Sequence, residues 1–285
     1  MLDSGSSDPS IILWFGAAIV TVLGARVFVE YLRRVNYEGP LKIWREWLTG
    51  ATALMLGIWA AMIVGITAQN ITFSIGYHPA RIFGGLIFAW VLAVVVMYWV
   101  TLRPGLWGLI SACALAGVIT LLLEISVVWS IGAEPGLHWR TEPLLFALLV
   151  STIGYGVSGW MVLAAKRGSA QDRRSRRTLA GLVLGATILG ASELVLTSAG
   201  LGKQSVSAYS HWIPDLAMSL LVGTGVPVVL ALMFLDQYLK QQARASERRR
   251  RIRRKVTDSN ESLFMSESTF GALSEFPPEA ASGKR

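Results

Sequence analysis

The chain has 285 residues, of which 53% are hydrophobic and 15% charged, with a net charge of +8 and a mean hydropathy of +0.51. So apolar a composition excludes an ordinary soluble domain and a disordered chain, and it indicates a polytopic membrane protein. The single cysteine, Cys113, excludes an intrachain disulfide and a cysteine-based zinc site, and within its apolar run it reads as a buried, inert thiol.

Residues 1–10, MLDSGSSDPS, are polar and acidic and lack the basic segment that opens a signal peptide. The apolar run that follows is therefore an uncleaved first span. A span needs about 20 mainly apolar residues. Seven segments qualify, at roughly 11–32, 47–69, 81–101, 106–131, 143–165, 178–200 and 213–238. The runs are too long for barrel strands and do not alternate. The fold expected is all-α, with a seven-helix membrane domain over 11–239 and a cytoplasmic tail over 240–285.

Basic residues orient the spans. Arg33, Arg34, Lys42 and Arg45 follow the first, Arg103 separates the third from the fourth, and Lys166, Arg167, Arg173, Arg174, Arg176 and Arg177 separate the fifth from the sixth. Lys240 and the run RASERRRRIRRK follow the seventh. The other connections hold only Arg81, Arg140 and Lys203. Positive charge concentrates on the cytoplasmic side of the cytoplasmic membrane, so the N-terminus is expected outside and the C-terminus inside. Helices two to seven then form three hairpins with outward turns: NITFSIGYHPAR, GAEPGLHWRTEP and GLGKQSVSAYSHWIPD. Each turn holds one histidine, His78, His138 or His211. Imidazole binds copper or zinc, but the wide spacing of these three supports solvated loop residues better than a metal site.

Small residues recur at four-residue spacing on the second helix (Gly57, Ala61, Gly65), the fourth (Gly108, Ala112, Ala116) and the sixth (Gly181, Gly185). They favour close helix packing and suggest an inner bundle of these three helices. The fourth face continues through Thr120 to Glu124, and the sixth reaches Glu193 and Thr197. A charged side chain within a span costs about 2.5–3.5 kcal/mol, so such acids carry a functional expectation. Glu124 and Glu193 share a depth. The sequence thus predicts an outward-opening polar chamber for a proton or cation, against the alternative of two acids that merely peg helices together. Arg26 and Glu30, four residues apart on helix one, are expected to pair. Asp215 and Asp236 read as interfacial.

The second hairpin resembles the MHYT family of bacterial integral membrane sensor domains, through WLTGA (Trp47 to Ala51), GIW (Gly57 to Trp59), Gly65 and FSIGYHP with Tyr77 and Pro79. Seven helices, an outside N-terminus and three outward hairpins are also shared with that family. The resemblance implies sensing of oxygen, carbon monoxide or nitric oxide through copper held by repeated Met-His-Tyr-Thr motifs. Those motifs are absent here: the family's histidine positions fall on Met62, Leu122 and Ser192. The resemblance therefore implies either a member without metal or a different site built from Met62, Glu124, Glu193 and the loop histidines.

In the tail, Arg248, Arg249, Arg250, Arg251, Arg253, Arg254 and Lys255 are expected to attract anionic lipid. Residues 256–285 are too short and polar for an output domain and are expected to be disordered. Phe264, Phe270 and Phe276 offer contacts to a cytoplasmic protein partner, and Ser262, Ser266 and Ser268 sites of modification. No nucleic-acid partner is indicated. No phosphate loop, nucleophile elbow or zinc-hydrolase string is present, so the chain is read as non-enzymatic. The function expected is a membrane sensor or signalling module without a catalytic domain. The alternatives are a small cation or proton-coupled transporter and a structural subunit of a membrane complex.

Overall fold

The structure, a computed structural model, describes residues 10–35, 40–69, 74–102, 106–134, 137–165, 170–200, 206–240, 242, 243 and 246. Seven described helices are long and apolar enough to cross a membrane. They are α1 (Ile11–Val35), α2 (Pro40–Ala68), α3 (Pro79–Leu102), α4 (Leu106–Ser130), α5 (Thr141–Ala164), α6 (Ala170–Ser198) and α7 (Asp215–Lys240). Hydrocarbon offers backbone groups no water, and a helix satisfies them within its own segment. Hydroxyls follow the same rule: Thr21, Thr52 and Thr187 each donate to the carbonyl four residues earlier, at 2.7 Å.

The helix ends differ from the sequence reading where charge had been taken as a boundary. α2 begins at Pro40, and proline suits a first helical position because the N–H it lacks would be unsatisfied there. α6 begins at Ala170 and runs through Arg173–Arg177, with Asp172 in its first turn to favour the helix N-terminus. α3 also opens on proline, and the His78 carbonyl caps it by accepting from Arg81 N and Ile82 N at 3.1 Å each.

Of the expected inner bundle of helices two, four and six, α2 and α6 are the most buried spans, at 83% and 50% of their most apolar windows, while α4 at 39% is no more buried than α1 or α5. The glycine stripes serve α1 instead. A Cβ added to Gly24 of α1 would stand 3.0 Å from the Gly57 Cα of α2. Cβ atoms on Gly181 and Gly185 of α6 would stand 3.0 Å from the Arg26 Cα and 2.8 Å from the Val22 Cα. α1 is thus set close against both α2 and α6. The physical principle of small residues allowing close approach holds, but the partner differs. On α1 itself, Arg26 lies 3.9 Å from Glu30, as the spacing predicted.

The chain divides into two units, residues 1–233 and 234–285. In the second, the described turns of α7 carry an exposed pair, Lys240 Nζ to Asp236 Oδ2 at 2.6 Å. The basic run Arg248–Lys255 and the phenylalanines of the tail lie outside the described residues.

The helix connections at one end of the first unit are tied together by four two-residue strands. β1 (Gly76–Tyr77) pairs antiparallel with β4 (Ile213–Pro214), and β2 (Ala133–Glu134) with β3 (Val206–Ser207). The α6–α7 connection therefore bridges the other two. Ser10 N joins the same end by donating to Ala68 O at 2.8 Å.

Gly76 is required there by space: an added Cβ would overlap the Tyr209 carbonyl, which is backbone and cannot swing away. Gly76→Ala is therefore expected to lower the melting temperature in detergent and to loosen the loops. Gly84→Ala, eight residues on, meets nothing within 4 Å and is expected to leave melting unchanged. Equal melting of the two variants would contradict this packing.

Candidate functional site

Two polar regions stand out, one in the loop cap and one just beneath it. In the cap, the buried Ser207 hydroxyl donates to Ile131 O at 2.7 Å and accepts from Gly76 N and Tyr209 N at 3.3 Å each. One side chain thus links all three connections. Gly132, at φ 61°, lies under the Tyr209 ring, where a side chain would collide. At the start of α7, Asp215 accepts from Tyr77 Oη at 2.9 Å, and its backbone N donates to Ile75 O at 3.0 Å. The Thr67 hydroxyl is 3.1 Å from the same carboxylate oxygen and also meets Ser219. Tyr77 is fully buried. Burial, then the adjacent Asp215 charge and its hydrogen bond, hold the Tyr77 phenol well above the ordinary tyrosine range.

His78 belongs to an aromatic stack rather than to a ligand set. Its ring centroid is 4.9 Å from that of Tyr209 and 5.1 Å from that of Trp212. The Arg81 guanidinium lies 4.4 Å from the Trp129 centroid and 5.2 Å from that of Tyr209. Such cation–π contacts add about 0.5–2 kcal/mol apiece. The five side chains run in order Trp129, Arg81, Tyr209, His78, Trp212 and join two connections to the end of α4. His138 and His211 are exposed. Among the described residues no three of His, Cys, Asp and Glu gather as a metal-binding group. The three loop histidines therefore do not form the metal site weighed for them. Of the positions matched to the family's histidines, Leu122 offers no donor and is 42% exposed, while Met62, fully buried in the core, and Ser192, bonded to Glu124, are not histidines either.

Beneath the cap, Glu124 is fully buried on α4. Its Oε1 accepts from the Ser192 hydroxyl of α6 at 2.6 Å, and its Oε2 has no partner among the described residues. The Ser192 oxygen is also 3.0 Å from Ile188 O, but the carboxyl is the nearer acceptor. A carboxylate ion buried in hydrocarbon is costly without a counter-charge, and the side chain shown to bond this carboxyl is a hydroxyl. One turn away on α4, the buried Thr120 hydroxyl pairs with Tyr155 Oη of α5 at 2.8 Å.

Glu193 sits elsewhere. It is half-buried and accepts from Trp14 Nε1 at 3.0 Å and Gln69 Nε2 at 3.5 Å. Thr197 is exposed and bonds within its own helix, to Leu194 O at 2.9 Å. Among the described residues the two acids share no hydrogen-bonding partner: Glu124 meets Ser192, and Glu193 meets Trp14 and Gln69, while Thr120 pairs with Tyr155 and Thr197 with Leu194 O. Ser192, Glu193's neighbour, holds Glu124, while Glu193 itself looks toward the start of α1.

The sequence reading passed over Ser192 as a polar partner, although the family alignment had marked its position. It also passed over the Tyr77–Asp215 bond, whose only sequence signal was an aromatic and an acid in two different turns. Searches against family models, characterised proteins and solved structures find no match to this chain.

The raised phenol of Tyr77 fixes the sign of a pH effect. A phenol harder to ionise when folded contributes stability that is fully present below its unfolded value of about 10 and is lost at more alkaline pH. Tyr77→Phe is expected to cost about 2 kcal/mol below pH 10 by removing a donor to a carboxylate. The gap to wild type in detergent melting should narrow above that pH. A gap that widens in alkali would show the wrong sign.

Proposed function

We propose that this chain is a multi-pass sensor or signalling module of the cytoplasmic membrane, non-enzymatic, with its sensing element at the α4–α6 contact. The observation that supports this reading is Glu124. It is a fully buried acid with a carboxyl oxygen left without a partner, bonded across two helices by a single serine. Intramembrane acids are costly and persist where they bind or move charge. A proton or cation exchanged there changes the Ser192–Glu124 tie between α4 and α6. Both helices end in the cap, where Ser207 and the paired strands link three connections, so a shift of either has a route to the others.

The proposed orientation puts the cap and the N-terminus outside and the tail inside, in keeping with the basic residues of the opposite connections. The signal would pass to a separate cytoplasmic protein through the tail, whose basic run would rest on anionic lipid. The resemblance to MHYT domains agrees with a sensing role, but the histidines through which that family is held to bind copper are replaced here by Met62, Leu122 and Ser192. A transporter is the second reading, and what favours it is the same acid.

Two measurements test this reading. A reporter fused after Lys255 is expected in the cytoplasm and one placed before Ile11 outside; both on one side would remove a span from the scheme. For the site, the protein in nanodiscs is stepped in pH and titrated with monovalent cations while tryptophan fluorescence is followed. Wild type is expected to respond. Glu124→Gln keeps the shape and the Ser192 bond, so it should melt within about 1 kcal/mol of wild type yet lose the response. An unchanged response in Glu124→Gln would leave this acid as a peg, and cation or proton flux in liposomes that the variant abolishes would select the transporter.

A further inference from the structure

We infer that a cleft in the half of the bundle away from the cap, bounded chiefly by α1, α2, α3, α4 and α5, holds one acyl tail of a bilayer phospholipid. Two partly open cavities adjoin there. They share Phe28, Val96, Met97 and Ala116 as walls, so they are parts of one elongated space. Along α4 its lining runs from Leu109 to Ile119, about 15 Å at 1.5 Å per residue. That length is of the order of an acyl chain's, and the walls along it are apolar.

The cleft has a rim and a floor. Leu32, Val96 and Val100 are half-buried, whereas Phe28, Cys113 and Tyr155 are buried. All lie within spans, so the medium at the rim is hydrocarbon. The two hydroxyls in the lining are already engaged. Tyr155 pairs with Thr120 at 2.8 Å, and Ser158 donates to Ala180 O at 3.0 Å. No donor is left to orient a headgroup, a sugar or a water cluster, which needs two or more polar partners. What the walls offer is dispersion contact, and an empty apolar space forfeits it. The occupant that restores it is a lipid tail entering from the rim, with its head remaining at the membrane surface. The tail would lie against Tyr155, whose partner Thr120 is one turn of α4 from Glu124, so occupancy bears on the helix that carries the acid.

The full chain is reconstituted in phosphatidylcholine nanodiscs doped with a phosphatidylcholine bearing a photoactivatable diazirine near the end of one tail. After irradiation, adducts are mapped by mass spectrometry. Adducts are expected on the floor residues Phe28, Cys113 and Tyr155, beside those on Val91 and Val95, which are 47% and 53% exposed on α3. Ala116→Phe, which fills the space at the shared wall, should lose the floor adducts and keep those on α3. If that variant does not fold, Val96→Phe at the rim serves the same purpose. Wild-type adducts confined to Val91, Val95 and other exposed positions would overturn the inference. So would floor adducts that survive the filling substitution in a folded variant.

Discussion

A polar group without a partner in hydrocarbon costs several kcal/mol, and the arrangement of this protein follows from that constraint. It confines the backbone to helices across the membrane and sends the irregular segments to the ends. It turns threonines back onto their own helices, so that Thr21, Thr52 and Thr187 cost little where they sit. It leaves dispersion as the main glue between helices, which is why glycines line the contacts of α1 with α2 and α6. Among the described residues Glu124 Oε2 is one of a few buried polar atoms without a hydrogen-bonding partner, with the indole nitrogens of Trp47 and Trp59 and Nδ1 of His78, and it alone of these belongs to a carboxyl group.

The cap obeys the same rule in a different medium. Its backbone groups pair across connections in two short ladders, and side chains complete the rest. Ser207 serves three connections, Asp215 gathers Tyr77 and Thr67, and Arg81 is clamped between two aromatic rings. Each tie is worth little alone. Together they couple the ends of α2, α4 and α6 to the starts of α3 and α7. A rearrangement at the α4–α6 contact is therefore not local, since both helices enter a cap whose parts hold one another.

The seven spans were legible in the sequence because a bilayer demands long apolar runs, and composition alone reports them. The true starts of α2 and α6 were not, because charged residues were read as ends although a helix continues through them. The short strands were illegible for a simple reason: two-residue pairs carry no periodicity. Glu124 was legible as a costly acid, but its setting was not. The face drawn from Gly181 through Gly185 to Glu193 does hold together, but it lies against α1: Gly181 meets Arg26, Gly185 meets Val22 and Glu193 meets Trp14. Ser192, one residue earlier and about 100° round the helix, is the residue that meets Glu124 on α4. The two acids do not share an environment: Ser192 holds one and Trp14 the other.

The central claim is that Glu124 is a neutral acid held by Ser192 and poised to exchange its proton or to admit a cation. Infrared difference spectroscopy of the reconstituted protein tests it most directly. The account predicts an un-ionised carboxyl band at neutral pH that disappears in Glu124→Gln and moves in frequency in Ser192→Ala, where the hydrogen bond is gone. A spectrum in which Glu124→Gln removes only an ionised carboxylate band, or in which Ser192→Ala leaves the carboxyl band in place, would contradict it.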